Sequence, residues 1–315
     1  MRDLLSARLV ESTPLSEDVT LFTFEAVEAA FVACAAGAHV DVHLPNGLIR
    51  NYSLTDWDPA GRRVSVAVKL EPAGRGGSVA MHALQTGSVL QISQPRNTFA
   101  LRDGDEPIVL IGGGIGITPL YAMACLLRSA ARPFEVHYLV RTRQLAAFDD
   151  GLRALALGDS YRLHCDDTDG LPEFQSLLKA HPSNTHYYVC GPEVMLAAVQ
   201  QASEDLQRGT IFFERFSAVP QADSGPRESF RVAVRSTGEE FDVPAEKSIL
   251  EVLRTAGHDV DYACSEGACG TCITDVLEGE IDHRDSILTD EERADGDCMC
   301  ICVSRARCAR LVLDL

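Results

Sequence analysis

Asp261 to Cys272 reads DYACSEGACGTC, and it restricts this chain more than any other stretch. Cys264, Cys269 and Cys272 stand in a C-x4-C-x2-C spacing inside a glycine-rich loop. That spacing supplies three of the four thiolates of a [2Fe–2S] cluster and requires a fourth from downstream. Four sulfurs must converge on two irons, so the loop has to curl, and Gly267 and Gly270 permit it. Thiolate is the soft ligand that iron–sulfur clusters select. A zinc site would more usually show paired C-x2-C knuckles. A disulfide framework fits poorly with an odd count of eleven cysteines and no export signal. Cys298, Cys300 and Cys302 offer the downstream ligand. They share parity, so on an extended chain all three face one way and periodicity does not choose between them. The chemistry implied is the movement of single electrons.

A chain of 315 residues with 46% hydrophobic composition has material for more than one core, and its length predicts two or three domains. A net charge of -18 excludes nonspecific nucleic-acid binding and attachment to an anionic membrane surface. Acids outnumber bases about two to one in 230–315, where the cysteine loop lies. That excess serves solubility or steers a basic partner. The opening MRDLLSARLVESTPL lacks the apolar core of a signal peptide, and no apolar run reaches the ~18 residues of a spanning helix. The expected location is the cytoplasm, with no membrane partner. Cys34, Cys125 and Cys165 read as buried hydrophobes.

Residues 1–102 read as short strands with period-two alternation: 21–26, 39–44, 49–54, 63–70 and 89–93, with one helix near 78–85. Such a series predicts an antiparallel barrel. In Arg50-Asn51-Tyr52-Ser53-Leu54, alternation puts Arg50, Tyr52 and Leu54 on one face, a cation beside an aromatic ring. Gly74-Arg75-Gly76-Gly77-Ser78 leads into VAMHAL, with Ser78 where an N-cap would sit, and makes an anion site of the helix start. Either feature alone reads equally as an ordinary strand and an ordinary turn.

Residues 103–219 change texture. Apolar strands at 107–114, 134–143, 161–165 and 186–190 alternate with helical stretches at 118–130, 145–156, 172–180 and 192–206, which predicts an α/β parallel sheet. Gly112-Gly113-Gly114-Ile115-Gly116-Ile117-Thr118-Pro119 joins the first strand to its helix, with Pro119 suited to the first helical position. Gly114 and Gly116 let a pyrophosphate approach the backbone, although Pro119 replaces the third glycine of the usual dinucleotide fingerprint. Cys190-Gly191-Pro192 ends a strand, where ligands of open α/β sheets sit. A buried cysteine and a turn is the plain alternative. Arg141 and Arg143 are placed for the adenosine end of a nucleotide, or are solvated charges. Residues 217–229 read as a linker.

Residues 229–315 begin with a hairpin, 230–236 and 239–245, followed by a helix at 249–256 capped by Ser248 and ended by Gly257. The cysteine loop, a strand at 273–280, an acidic segment at 282–297 and a last strand at 309–315 complete the chain.

The strand RNYS followed by GRGGS resembles the flavin-binding barrel of the ferredoxin–NADP reductase superfamily. GGGIGITP with a later CGP resembles that superfamily's pyridine-nucleotide domain. The cysteine loop resembles a plant-type ferredoxin, an α+β fold of the β-grasp type. In that order the three modules resemble the phthalate dioxygenase reductase and vanillate demethylase reductase family over essentially the whole chain. The resemblance implies that Arg50 binds the flavin phosphate, Tyr52 packs on the flavin and Ser53 lies near its N5. Gly77 and Ser78 would make a second phosphate contact, and Val66 to Lys69, including Val68, would pass the ring edge. It places pyrophosphate on Gly112, Gly114 and Gly116, and nicotinamide near Thr118, Cys190, Gly191 and Pro192, with Phe216 covering the flavin face. Cys302-Val303-Ser304-Arg305 matches the family's ligand signature and makes Cys302 the fourth cysteine.

It further implies FMN, NADH as co-substrate, and a separate Rieske-type oxygenase acting on aromatic acids as acceptor. Nicotinamide yields two electrons and a [2Fe–2S] cluster takes one, so a flavin belongs between them. The chain is then an NADH-dependent flavin iron–sulfur oxidoreductase. A subunit serving a non-oxygenase dehydrogenase, or a zinc-holding binding protein with an empty barrel, are the alternatives.

Overall fold

The computed structural model describes residues 4–207, 209–216 and 227–315. The chain forms two compact units, Arg2–Glu214 and Arg215–Leu315. Residues 217–226 of the expected linker lie outside the described residues.

The first unit opens with β1 (Leu4–Pro14), β2 (Val19–Ala26), β3 (Ala38–His43), β4 (Ile49–Trp57), β5 (Arg63–Lys69), β6 (Val89–Ser93) and β7 (Arg96–Asn97). Their order is β4-β5-β2-β1-β6-β3-β7, all antiparallel, and pairing of β3 with β4 closes the barrel. Alternate residues point inward, as a strand's period of two requires. Leu5, Ala7 and Leu9 of β1, Phe22 and Phe24 of β2, Val40 and Val42 of β3 and Val64 and Val66 of β5 form its core. β1 was not among the expected strands, although Leu5, Ala7 and Leu9 alternate. A register shift between Leu9 and Glu11 interrupts the alternation in its second half. The short helix α1 (Gly77–His82) lies between β5 and β6.

The same unit continues with β8 (Ile108–Gly113), α2 (Ile117–Ser129), β9 (Phe134–Val140), α3 (Asp149–Ala154), β10 (Tyr161–Cys165), α4 (Phe174–Lys179), β11 (His186–Cys190), α5 (Glu193–Leu206) and β12 (Thr210–Glu214). The five strands run parallel in the order β10-β9-β8-β11-β12. The order reverses between β8 and β11, so their carboxyl ends form the switch point at which open sheets bind ligands. The helix expected over 145–156 is shorter. It begins at Asp149-Asp150, where the positive helix end favours acids.

A single hydrophobic cluster joins barrel and sheet. Val19, Ala36, Ala67 and Phe99 pack with Leu110, Ile117, Leu120, Met123 and Tyr138. A second cluster fills the other face of the sheet, where Leu178 of α4 and Leu196 and Val199 of α5 meet Val109, Ile111 and Val189.

The second unit contains β13 (Phe230–Val234), β14 (Glu240–Val243), α6 (Ile249–Thr255), β15 (Ile273–Glu278), β16 (Ile281–Asp282), α7 (Asp290–Asp295), β17 (Cys298–Cys300), β18 (Arg305–Ala306) and β19 (Arg310–Leu313). The main sheet has the order β14-β13-β19-β15-β17, with β13 and β19 parallel. α6 packs Ile249, Leu250 and Leu253 into its core. Ser248 and Glu251 cap α6 reciprocally, which satisfies two backbone donors that the first turn leaves free. Thr289 and Glu292 do the same for α7, a helix within the acidic segment.

Candidate functional site

The loop between α6 and β15 has no regular structure, and its geometry is set by positive φ at Gly267 (+74°) and Gly270 (+71°). A Cβ on Gly267 would lie 2.5 Å from Val303 and 3.0 Å from the Asp285 backbone, so only glycine fits there. Cys264, Cys272, Cys300 and Cys302 are buried and Cys269 is partly so. Cys264 accepts hydrogen bonds from Cys269 and from the backbone N–H groups of Glu266, Ala268 and Cys269. Cys272 accepts from Cys300 and Cys302. These partners hold both thiols below the usual range. Soft thiolates ringed by N–H donors fit a [2Fe–2S] cluster, whose sulfurs carry negative charge.

The downstream cysteines separate in the fold. β17 ends at Cys300 and a turn follows, with the Val303 and Ser304 N–H groups donating to the Cys300 carbonyl at 3.2 and 3.0 Å. The shared parity expected of an extended chain therefore stops before Cys302. Cys298 lies among Asp297, Glu292 and Asp275. Cys300 and Cys302 both meet Cys272, while Cys302 also feels Cys264 and receives the Gly267 N–H. The residues after Cys302 are structural. Arg305 donates to the carbonyls of Lys247, Glu228 and Pro244 at 2.8–3.1 Å.

At the switch point in the first unit, the glycines divide by role. A Cβ on Gly116 would lie 2.4 Å from the Cys190 carbonyl, and one on Gly191 3.0 Å from Gly113. One on Gly112 would meet Ile117 at 2.7 Å. These glycines seat the ends of β8, α2 and β11 against each other. Gly114, at φ +53°, faces open space and is where a ligand's phosphates could approach the backbone. α2 begins at Ile117 with Gly116 as its cap, so Pro119 is the third helical residue rather than the first. It still lies in the turn whose N–H groups need no intrahelical partner. The buried Thr118 donates its hydroxyl to the Ile115 carbonyl at 3.0 Å.

Cys190 pairs in register with Gly112 on one side and Glu214 on the other. Burial, with the nearby Glu214 charge, raises its thiol well above the ordinary range. Glu214 retains some exposure as a residue, but its Oε2 is sealed from solvent and has no hydrogen-bond partner among the described residues. Burial pushes its carboxyl up to about 8. Sequence reasoning missed Glu214. The available signal was an acid between apolar strand residues in FFERF.

On β4, Arg50 and Tyr52 lie at the barrel surface and Ser53 is buried. Arg50 reaches the start of α1. Its guanidinium donates to the Ile49 carbonyl at 2.8 Å and the Arg75 carbonyl at 3.4 Å. Its side chain fills the space of a Gly77 Cβ, which would lie 2.6 Å from Nε. Burial raises the Tyr52 hydroxyl to about 12, against the pull of Arg50. The cap of α1 is Gly76, in the left-handed conformation, and not Ser78. Ser78 Oγ instead accepts from the Glu71 N–H at 2.9 Å and fixes the loop after β5. Val68 is buried in the barrel core, and Lys69 pairs with Glu71 at 2.6 Å and Asp18 at 3.8 Å. A cation at a glycine turn next to a half-buried aromatic fits a flavin's phosphate and ring.

Arg141 is exposed just past β9, while Arg143 pairs with Asp149 at 3.4 Å. Pro192 caps α5. Phe216 follows β12 and is 46% exposed. Cys165 is buried as expected, but Cys34 and Cys125 are only partly so. No helix among the described residues is long and apolar enough to cross a membrane.

Residues 6–101 match the oxidoreductase FAD-binding domain family, and residues 232–307 match the 2Fe-2S iron–sulfur cluster binding domain family. With the fold, these define a flavin iron–sulfur oxidoreductase. The chain is 44% identical over 290 residues to a vanillate O-demethylase oxidoreductase of Pseudomonas sp. (strain HR199 / DSM 7063), covering 89% of this chain and 90% of that one. It is 35% identical to the solved structure of phthalate dioxygenase reductase, a modular structure for electron transfer from pyridine nucleotides to [2Fe-2S]. That likeness has a TM-score of 0.74 and covers 99% and 98% of the two chains. The chain belongs to the phthalate dioxygenase reductase and vanillate O-demethylase oxidoreductase family. It also matches an intact type IV self-sufficient cytochrome P450 monooxygenase, with 34% identity and a TM-score of 0.86. The match takes 99% of this chain but spans only 41% of that polypeptide.

Proposed function

We propose that this chain is the reductase component of a two-component, Rieske-type aromatic oxygenase or O-demethylase, using FMN and NADH in the cytoplasm. Its modules are 1–102 for FMN, 103–219 for NADH and 229–315 for the cluster. The observation that carries this reading is the glycine-lined switch point beside Cys190, in a chain matched nearly end to end by a vanillate O-demethylase oxidoreductase.

A bound flavin supplies the step between the two-electron chemistry of nicotinamide and the one-electron chemistry of a cluster. The protein's own part is binding and orientation. Arg50, with Gly77 and Ser78 at the start of α1, holds the FMN phosphate, and Tyr52, Ser53, Val68 and Lys69 border the ring. Gly112, Gly114 and Gly116 admit the pyrophosphate, and Arg141 takes the adenosine end. Thr118, Cys190, Gly191 and Pro192 orient the nicotinamide. Cys264, Cys269, Cys272 and Cys302 hold the cluster, near which the oxygenase docks.

Reconstitution with aromatic Rieske oxygenases tests this, scoring product formed with NADH and with NADPH. Chromatography of the released flavin identifies FMN or FAD. The reading predicts FMN, a preference for NADH and product with at least one oxygenase. The P450 likeness favours a haem acceptor as second reading, and reduction of a P450 with no turnover by any Rieske oxygenase would decide for it.

A further inference from the structure

The sheet of the first unit has a polar cluster on the face that α4 and α5 cover, away from α2. Glu135 and His137, two apart on β9, point the same way, and His181 joins them from the segment after α4. One ligand atom from each lies within 4.8 Å of the others. His137 Nε2 stands 2.8 Å from one Glu135 oxygen, and His181 Nε2 3.9 Å from the other.

The position of the His137 proton decides what this cluster can be. His137 is 2% exposed, and its Nδ1 lies 3.0 Å from His164 Nε2. Its Nε2 is sealed from solvent and has no hydrogen-bond partner among the described residues, although a Glu135 oxygen stands 2.8 Å away. A proton on Nε2 would thus be a buried donor without a well-directed acceptor. A proton on Nδ1 is accepted by His164 and leaves a bare lone pair on Nε2 beside a carboxylate. The lone pair and the carboxylate repel each other, and a cation coordinated by both relieves that repulsion. A histidine whose far nitrogen is hydrogen-bonded, presenting the other beside a carboxylate, is how proteins orient a metal ligand.

We propose that Glu135, His137 and His181 form a binding site for a divalent transition-metal ion, Zn2+ by ligand chemistry. Two imidazole nitrogens and a carboxylate form a ligand set typical of that ion, with a fourth position left for water. Tetrahedral bonds of about 2.0–2.1 Å set ligand atoms about 3.3 Å apart, and the atoms here lie within 4.8 Å of one another, so binding closes gaps of at most about 1.5 Å. Arg162 Nε, 3.9 Å from Glu135 on the solvent side, is a weak competitor. The site lies on the sheet face opposite α2, so its role is to tie β9 to the chain entering β11 and not to assist electron transfer.

The test uses the full chain with flavin and iron–sulfur cluster in place, so that the cluster cysteines are occupied. The protein is dialysed against buffered micromolar Zn2+ and analysed for zinc and iron. Wild type and Arg162→Ala should each retain one equivalent of zinc that His181→Ala and Glu135→Gln lack, at unchanged iron content. Zn2+ at 100 times its Kd should raise the melting temperature of wild type by about 5 °C and leave His181→Ala unmoved. Equal zinc in wild type and His181→Ala, or none in wild type, overturns the site and leaves a hydrated histidine cluster.

Discussion

Cys190 and Glu214 stand side by side on neighbouring parallel strands, and Glu214 presents a carboxylate oxygen that is sealed from water and has no hydrogen-bond partner among the described residues. Its carboxyl has a folded pKa of about 8 against an ordinary 4.5, so the fold binds the proton more tightly than the unfolded chain does. Its contribution to stability is complete below pH 4.5 and is lost as pH rises to about 8. Denaturant unfolding at pH 5 and pH 8.5 should show a larger drop for wild type than for Glu214→Gln. Equal drops would place the ionised carboxylate in a solvated setting.

The Cys190 thiol is held neutral by burial at the carboxyl end of β11. Cys190→Ala should slow reduction of the flavin by NADH about tenfold or more through loss of positioning. Flavin and iron content should stay normal. Stopped-flow absorbance measures the rate, and an unchanged one removes Cys190 from that role.

Cys302 meets both Cys264 and Cys272, whereas Cys300 meets Cys272 from the β15–β17 ladder, where it stands opposite Ile273. Cys302→Ser should therefore abolish the cluster and Cys300→Ser should retain it. Iron and acid-labile sulfide assays separate the two, and normal values for Cys302→Ser would refute the assignment.

The two glycine roles at the switch point are separable. Gly116→Ala forces a methyl onto the Cys190 backbone and should cost about 3 kcal/mol. Gly114→Ala meets only the left-handed backbone penalty of about 1–2 kcal/mol, with open space around it. Thermal unfolding ranks them, and Gly114→Ala should show the greater loss of nucleotide affinity relative to its stability cost.

Arg50 combines a charge with contacts that fix its guanidinium at the α1 turn. Arg50→Ala should weaken flavin binding about 10- to 100-fold, the worth of one or two charge-assisted hydrogen bonds. Fluorescence of released flavin reports the constant.

Legibility in the sequence followed periodicity and backbone chemistry. Alternating strands such as LFTFEA were readable from their period of two, and continuous ones such as IVLIGG from their short length, β-branched residues and closing glycines. The cysteine spacing, the glycine loop and the Ser248 cap were readable because each meets a local demand. Helix starts were misplaced where the cap was a glycine with no side chain to signal it, as at Gly76 and Gly116. The His137 cluster and the Cys190–Glu214 pair were invisible. Strand register and helix packing create both from residues with no spacing pattern, and Glu214 lies beside Cys190 only through the β11–β12 ladder.

The hydrophobic cluster that runs from Phe99 and Ala67 into α2 has a practical corollary for protein engineering. A graft that cuts the polypeptide near residue 102 parts Val19, Ala36, Ala67 and Phe99 from the rest of that cluster and leaves apolar surface bare on both fragments. A graft that cuts after Glu214 leaves every member in one piece. Chimaeras meant to redirect electrons to a new acceptor should therefore exchange the cysteine-loop unit whole and keep barrel and parallel sheet as a single inherited cassette.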